Sequence, residues 1–258
     1  MQTADIRHKL NLYRRKISLT AIFSFLLICP LFAQSSYAPL NQSGQDDQFL
    51  SYGFFLAGHT SSLRLKYSDA YMDPTQTQYR QIQSIMPVFS PGFSLGFLLT
   101  FRLHDQLNFL ATPKVGFYEY QTDINYFRDD DFEQTGVGVR TESIITEATM
   151  VELPLIFKYK SMRFNNTRMF FTGGANPMFR TKSQDEADAD PLVIKGKDVA
   201  LELGMGFDFY FKFFKFSPEI RFSHGLSNIY EPATTDPEFA GAIEELRRKS
   251  ITVLLNFQ

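Results

Sequence analysis

Residues 199–223 read VALELGMGFDFYFKFFKFSPEIRFS, and apolar side chains alternate with small or charged ones along this stretch. Apolar residues occupy every odd position from Val199 to Phe211, while Glu202 and Asp208 lie among the positions between them. A period of two residues is the period of a β-strand, so the stretch predicts a hairpin with one wholly apolar face. Strands of roughly 9–11 residues are long enough to cross a membrane. A soluble β-sandwich gives the same local pattern, so the hairpin alone leaves both folds open.

The composition suits alternating strands better than helical membrane spans. The chain has 258 residues, with 28 Phe and 12 Tyr, yet its mean hydropathy is −0.18. Alternation explains this combination, because polar residues dilute the apolar ones in any window of sequence. No run of about 18 apolar residues occurs, which argues against a membrane-spanning helix. The formal net charge of −2 gives no basic footprint, so we expect no nucleic-acid partner.

The N-terminus has the three parts of a secretory signal peptide. Three consecutive basic residues precede the apolar run ISLTAIFSFLLIC at 17–29, and small residues follow at Ala33 and Ala38. We therefore predict a signal peptide at 1–33, with cleavage at Ala33 or Ala38. The small, polar residues at 34–48 predict a short disordered leader.

Few residues in the chain suit catalysis or metal binding. The only cysteine, Cys29, lies in the predicted signal peptide, so the exported chain has neither a disulfide nor a thiol nucleophile. The histidines outside the signal peptide, His59, His104 and His224, each fall near the end of a different predicted strand. A catalytic base and nucleophile must lie within hydrogen-bond reach of each other. We therefore expect a protein that is not an enzyme and has no metal or cofactor.

The alternating pattern recurs after residue 48 and predicts eight strands. They lie at residues 49–67, 92–103, 107–120, 146–160, 169–179, 199–211, 215–223 and 250–258. In the first strand the apolar residues change parity between Gly58 and Ser62, which predicts a β-bulge. Long and short connections alternate, and the long ones are residues 68–91, 121–145, 180–198 and 225–249.

This alternation of connections decides the architecture. Transmembrane β-barrels have an even number of strands, short periplasmic turns and long extracellular loops. A soluble sandwich or a lipocalin-like barrel has no reason to lengthen every second connection. An aromatic residue next to the C-terminus, Phe257, resembles the ending of outer-membrane barrels. The sequence therefore predicts an all-β fold, an eight-stranded antiparallel up-and-down transmembrane β-barrel at 49–258, in contact with outer-membrane lipid.

The predicted barrel is narrow enough for its interior to be filled by its own side chains. The charged residues on the inward face are Arg102, Lys114, Glu152, Lys158, Glu202, Asp208, Glu219 and Arg221. They would form either a proton or ion path, a buried catalytic acid pair, or a structural network of paired charges. The near balance of positive and negative charge favours the structural network, and it argues against a water-filled pore.

The last long connection carries the only predicted helix. Asp236 is suited to the N-cap, and Pro237 to the first helical position. Phe239, Ile243 and Leu246 then repeat on one face. Such a helix packs on the mouth of the barrel or docks on a partner, and the sequence leaves both open.

Several phrases of the sequence resemble the outer-membrane β-barrel family of Bacteroidetes. They are VELPLIFKYKS, LELGMGFDF, PEIRFSHGLSN and SITVLLNF. The E-x-P motif at 152–154 and the Gly-Leu pair at 225–226 mark this broad family. Within it, YGFFLAGHTSSLRLKYSD, the loop lengths and the Asn-Phe pair at 256–257 resemble the PorT family of the type IX secretion system. The resemblance covers roughly residues 50–258.

The resemblance implies a role in protein secretion. PorT-like barrels are needed to export proteins with C-terminal sorting domains across the outer membrane. The partners implied are other type IX secretion components, with no small-molecule substrate, and no catalytic residue is carried over. A general structural or adhesion barrel is the first alternative, and a lipid-modifying barrel enzyme is the second.

Overall fold

The computed structural model of the protein describes residues 41, 45–73, 79, 81–127, 139–181, 192–233 and 235–258. The predicted signal peptide lies outside these ranges, as do most residues of the predicted leader. Within them, no helix is long and apolar enough to cross a membrane.

Eleven β-strands form one sheet in the described part of the chain. In chain order they are β1 (Leu50–Tyr67), β2 (Ile82–Val88), β3 (Ser90–Arg102), β4 (Leu107–Ala111), β5 (Lys114–Phe127), β6 (Val139–Glu152), β7 (Leu155–Lys160), β8 (Thr167–Arg180), β9 (Lys197–Tyr210), β10 (Lys215–Gly225) and β11 (Ile243–Phe257). Two helices of four residues each accompany them, α1 (Asp69–Met72) and α2 (Pro237–Ala240).

Three of the barrel strands are each interrupted once, so that β2–β3, β4–β5 and β6–β7 are the two halves of longer strands. The interruptions fall at Phe89, at Thr112-Pro113 and at Leu153-Pro154. A proline has no backbone N–H for the ladder, which explains two of the three breaks. The backbone stays hydrogen-bonded there, because the Thr112 N–H donates to the Pro154 carbonyl at 3.0 Å. With each interrupted pair counted once, the sheet has eight strands.

These eight strands close into an antiparallel ring. Strand β1 pairs with β3 on one side and with β11 on the other, so that Leu56 lies opposite both Leu95 and Leu255. Each remaining strand pairs with its neighbours in sequence. The predicted eight-stranded up-and-down barrel is therefore confirmed. Closure leaves no unpaired sheet edge inside the lipid.

An apolar belt surrounds the barrel on the side of the short turns. We call that side the periplasmic end and the opposite side the extracellular end, following the general rule for such barrels. Outward side chains in the belt are exposed in the isolated chain; Phe97 is 68% exposed and Leu203 59%. An exposed apolar surface of this extent needs an apolar medium, and lipid supplies it.

The bulge predicted in β1 is wrong. The strand pairs without a break over 50–61 with β3 and over 54–66 with β11. Leu56 points outward and is exposed, whereas Leu63 points inward and is 2% exposed. The parity changes because the surroundings change along a regular strand. Lipid lies outside at Leu56, and an apolar interior lies inside at Leu63.

A buried apolar core fills the barrel at its extracellular end. We call it the extracellular core; its members include Leu63, Ile124, Met150, Ile194, Ile229 and Leu246. The sheet extends upward around it, so parts of the predicted loops 68–91 and 121–145 are strands, in β2 and in the ends of β5 and β6. The backbones of Ile194 and Tyr230 form a bridge across this end.

The predicted helix is wrong beyond Ala240. Helix α2 has four residues, and the chain has already entered β11 at Ile243. Ile243 and Leu246 lie opposite Tyr67 and Leu65 of β1, with a register shift between the two pairs. That irregularity places two residues three positions apart on the same inward face, which imitates helical spacing. Both are buried in the extracellular core, so neither is available to a partner.

Leu63→Ala tests the inward direction of this part of β1. We expect a loss of about 2–5 kcal/mol in the free energy of unfolding, because the substitution leaves a cavity in the extracellular core. The measurement is urea unfolding of the barrel in lipid vesicles. Lys66→Ala, at an exposed ion pair on the same strand, is the control and should cost at most about 1 kcal/mol. Equal losses for the two variants would place Leu63 outside the core.

Candidate functional site

Seven of the eight charged residues predicted for the lumen line the barrel interior between the periplasmic turns and the extracellular core. They are Lys114, Glu152, Lys158, Glu202, Asp208, Glu219 and Arg221, and none is more than 7% exposed. Arg102 is the exception. It ends β3 at the periplasmic rim, where its guanidinium lies 2.5 Å from Asp105 and 3.4 Å from Asp47. Arg102 lies on the inward face of β3 like the other seven on their strands, but it is the last residue of β3 and lies below the lumen.

Glu152 is the centre of the upper part of this lumen network. One carboxylate oxygen accepts a hydrogen bond of 2.5 Å from the Tyr118 hydroxyl. The other lies 3.0 Å from the Lys114 ammonium and accepts a hydrogen bond of 2.5 Å from Asn176. A buried carboxylate needs such partners, because burial without them would cost several kcal/mol.

The network continues without a gap toward the middle of the lumen. Asn176 also donates to Glu202, at 2.7 Å. The Arg221 guanidinium then joins Glu202, at 3.0 Å, to Glu219, at 2.9 Å. Glu219 accepts a further hydrogen bond of 2.6 Å from the Thr172 hydroxyl. Hydrogen-bonded polar groups therefore fill the middle of the lumen, where the Asn176 side-chain oxygen is left without a partner among the described residues.

A second ion pair occupies the lower lumen. The Lys158 ammonium lies 2.7 Å from the Asp208 carboxylate, which also accepts a hydrogen bond of 2.6 Å from Ser217. The same ammonium lies 3.6 Å from the centre of the Phe170 ring, within cation–π range. Sequence reasoning missed the partners Ser217, Asn176 and Thr172, although all of them share the inward parity of the charged residues.

The glycines of the LELGMGFDF phrase make room for this network. A Cβ atom on Gly204 would lie 2.6 Å from the Thr172 hydroxyl and 2.9 Å from a Glu219 oxygen. A Cβ atom on Gly206 would lie 2.5 Å from the Phe170 ring. Close approach to neighbouring groups, rather than a turn, thus requires glycine at both positions.

The N-terminal segment reaches into the periplasmic mouth of the barrel, where the sequence predicted a disordered leader. Residues Gln45–Asp47 form a short 3-10 turn. The Asp46 carboxylate accepts a hydrogen bond of 2.5 Å from the Tyr210 hydroxyl and lies 3.3 Å from Arg168 and 3.8 Å from Lys215. Nothing in the polar stretch around Asp46 signals this contact, so the sequence could not predict it.

Asn41 attaches this segment to the rim: its backbone N–H donates to the Asn166 side chain at 2.9 Å, and its side-chain amide donates to the Tyr210 carbonyl at 3.1 Å. The Arg163 guanidinium donates to the Asn41 carbonyl at 2.5 Å and to the Asn166 side chain at 2.8 Å. It also lies 3.8 Å from the centre of the Tyr210 ring. The periplasmic opening is therefore closed by the chain's own N-terminal segment.

The charges at the mouth govern the pKa of Asp46. Burial alone would raise the pKa of this carboxyl, but Lys215, the Tyr210 hydrogen bond, Lys160 and Arg168 together outweigh burial. The pKa of Asp46 is therefore lowered, and its carboxylate form is stabilised in the folded protein.

The histidines do not form a catalytic constellation. His59 lies inside the barrel, with its ring 4.3 Å from the Tyr118 ring, while His104 lies in a periplasmic turn. His224 lies near the extracellular end of β10 and on the outward face. In the described ranges, no group of three or more His, Cys, Asp or Glu side chains is arranged to hold a metal ion.

Glu152→Gln tests whether the lumen network stabilises the fold. The amide keeps the size of the carboxylate but leaves Lys114 buried without a counter-charge, so we expect a loss of about 3–5 kcal/mol in unfolding free energy. Arg102→Gln at the exposed rim is the control and should cost at most about 1 kcal/mol. The double variant Lys114→Met/Glu152→Gln should recover part of the loss. A single variant as stable as the wild type would contradict the assignment.

Asp46→Asn tests the closure of the periplasmic mouth. Because the pKa of Asp46 in the folded protein lies below its ordinary value of 3.8, its ion pairs stabilise the fold above that value. This stabilisation is lost as the pH falls below it. The free energies of unfolding of wild type and variant should therefore differ by a constant amount, about 1–3 kcal/mol, near neutral pH. The difference should shrink below about pH 4; a difference independent of pH would contradict the ion pairing. Asp47→Asn, at a more exposed carboxylate, is the control.

The fold is similar to that of several solved outer-membrane proteins. The outer membrane protein OprG from Pseudomonas aeruginosa matches 81% of this chain with 92% of its own, at 11% identity and a TM-score of 0.41. Neisserial surface protein A aligns with 81% of this chain over 98% of its own length, at 9% identity and a TM-score of 0.38. Ail of Yersinia pestis aligns with 80% of this chain over 96% of its own length, at 10% identity and a TM-score of 0.34. A comparison with curated proteins gave no match.

A family profile decides the affiliation of the chain. The profile described as "Outer membrane protein beta-barrel domain" matches residues 32–231, which include all of β1 to β10. Together with the closed ring and the apolar belt, the match also supports location in the lipid of the outer membrane. The chain thus belongs to the outer membrane protein β-barrel domain family.

Proposed function

We propose that this barrel is a non-enzymatic component of the type IX secretion system, of the PorT kind. In this role it is needed to export proteins with C-terminal sorting domains across the outer membrane. The sequence resemblance over roughly residues 50–258 supports the specific assignment. One structural observation carries the mode of action, namely that the barrel is filled from end to end.

The filling has three levels along the barrel axis. Asp46 and its cationic partners close the periplasmic mouth. The charged network around Glu152 and Asp208 fills the middle, and the extracellular core fills the top. A barrel of eight strands has no room for an additional channel beside such side chains. Secreted polypeptides therefore do not pass through this lumen, and the barrel acts through its surfaces.

The surfaces available for partners lie in the connections at the two ends, apart from residues such as Ile229, Tyr230 and Ala242 that are buried in the extracellular core. At the extracellular end the connections are shorter than the sequence predicted, because strands extend into them. They run from 68 to 81, 128 to 138, 181 to 196 and 226 to 242. Neither Ile243 nor Leu246 belongs to such a surface, so the docking face predicted with Phe239 is not proposed again.

Deletion of the encoding gene in the native organism tests the secretion role. We expect proteins with C-terminal sorting domains to disappear from the cell surface and the culture fluid, with uncleaved forms held in the periplasm. Mass spectrometry of the separated fractions measures both, and complementation with the wild-type gene is the control. Normal secretion in the deletion strain would contradict the role. It would leave a structural or adhesion barrel, or a lipid-modifying enzyme, as the remaining candidates.

Two complementing variants separate a partner role from catalysis. His224→Ala should restore secretion, because no step in the proposed role depends on this histidine. Replacement of residues 182–191 by a glycine-serine linker of equal length should fail to restore it, provided the barrel is folded and present; the residues of the extracellular core in the described part of the chain all lie outside this segment. The reverse pattern would favour an enzyme. Lipid analysis of the deletion strain would then be decisive.

A further inference from the structure

A group of basic side chains lies on the outer wall where β1 meets β11, directly above the apolar belt. Arg64 of β1 lies opposite Arg247 of β11, and both point away from the barrel interior. Lys249 lies on the same face of β11, two residues nearer the belt. We call Arg64, Arg247 and Lys249 the seam cluster.

Like charges directly opposite each other in a sheet are destabilising. Nearby carboxylates neutralise only part of this charge: Glu245 lies 2.5 Å from Arg247, and Glu244 lies 2.7 Å from Lys66. In the part of the chain that the structure describes, neither Arg64 nor Lys249 has a carboxylate within ion-pair distance. The Lys249 ammonium lies instead 4.9 Å from the centre of the Phe89 ring. Two positive charges therefore remain for an external anion.

The height of the seam cluster fits the head-group region of the outer leaflet. On β11, the outward residues Ile251, Val253 and Leu255 below it are all substantially exposed and belong to the apolar belt. Lys249 is the next outward residue, so the change from apolar to basic occurs within one step of the strand. A lipid with its acyl chains on the belt would therefore place its head group at the cluster.

The β5–β6 wall carries negative charge where the seam cluster carries positive charge. On the β5–β6 wall, Glu119 lies directly opposite Glu147, and both face outward. Glu119 lies near the level of Lys249, because the Ser61 hydroxyl of β1 donates to the Glu119 carbonyl at 3.3 Å and the next residue, Ser62, lies opposite Lys249. The charge on the outer wall therefore differs between the β1–β11 seam and the β5–β6 wall.

We propose that the seam cluster binds the phosphate group of an outer-leaflet lipid. The guanidinium groups of Arg64 and Arg247 present paired N–H donors, which match phosphate oxygens well. Lys249 adds a third positive charge at the edge of the belt. The bound phosphate removes the repulsion between the two arginines, and the acyl chains cover the belt beside Ile251.

Lipid binding to the full barrel in detergent tests the proposal. The probes are diphosphoryl lipid A and its phosphate-free counterpart, and native mass spectrometry counts bound lipid. The double variant Arg64→Gln/Arg247→Gln should bind diphosphoryl lipid A about tenfold more weakly than the wild type, or weaker still. Arg140→Gln, at an exposed arginine on β6 that pairs with Glu142, is the matched control and should bind like the wild type.

Thermal unfolding supplies a readout that a merely structural role would not move. Diphosphoryl lipid A should raise the unfolding midpoint of the wild type more than that of the double variant. Without the lipid, the double variant should be about as stable as the wild type, because the relief of repulsion between the arginines offsets the loss of the Arg247–Glu245 ion pair. If it fails to fold, Arg64→Lys/Arg247→Lys replaces it and should bind with reduced affinity, since lysine lacks the paired donors.

Three results would overturn the proposal. Equal binding of diphosphoryl lipid A by wild type and variant would show that the seam cluster does not bind this lipid. Equal binding of the phosphate-free lipid would reduce the interaction to acyl contact. Displacement of the lipid by millimolar inorganic phosphate would indicate a site for soluble anions.

Discussion

Backbone hydrogen bonding in lipid is the constraint on which the rest of this structure depends. Within the membrane, water cannot satisfy an unpaired N–H or C=O group, so the sheet has to close on itself. Closure occurs where β1 pairs with β11, along a continuous register over residues 54–66. Once the ring is closed with eight strands, every second side chain must fit into a narrow interior. Pairing among charges such as Lys114 and Glu152 follows from that confinement.

The apolar face of the sheet changes from the outside to the inside of the barrel along the barrel axis. Between the periplasmic turns and the extracellular core, apolar side chains face lipid and charged side chains face each other. Above the membrane, water lies outside, and the interior becomes an apolar core around Leu63 and Leu246. The N-terminal segment completes the closure below, where Asp46 supplies the counter-charge for Lys215 and Arg168. Side chains of the described residues thus fill the barrel at all three levels, which is why we place its function on its surfaces.

The two-residue period, together with the alternation of long and short connections, was sufficient to predict the barrel, its strand number and most of its inward charges. The same period misled where the surroundings change, because at Leu63 the inward side becomes the apolar one while the strand stays regular. The spacing of Ile243 and Leu246 imitated a helix, since a register shift brings both to one face. The contact of Asp46 depends on three residues more than a hundred positions away. No local pattern carries that information.

Ion conductance across a planar bilayer measures the closed lumen most directly. The purified full-length barrel, inserted into a bilayer and held under an applied voltage, should show no steady channel current at neutral pH. Asp46→Asn should not open a channel either, because the charged network and the extracellular core remain above the mouth. A steady ohmic current through the wild-type barrel would contradict the filled interior, and with it the placement of function on the surfaces.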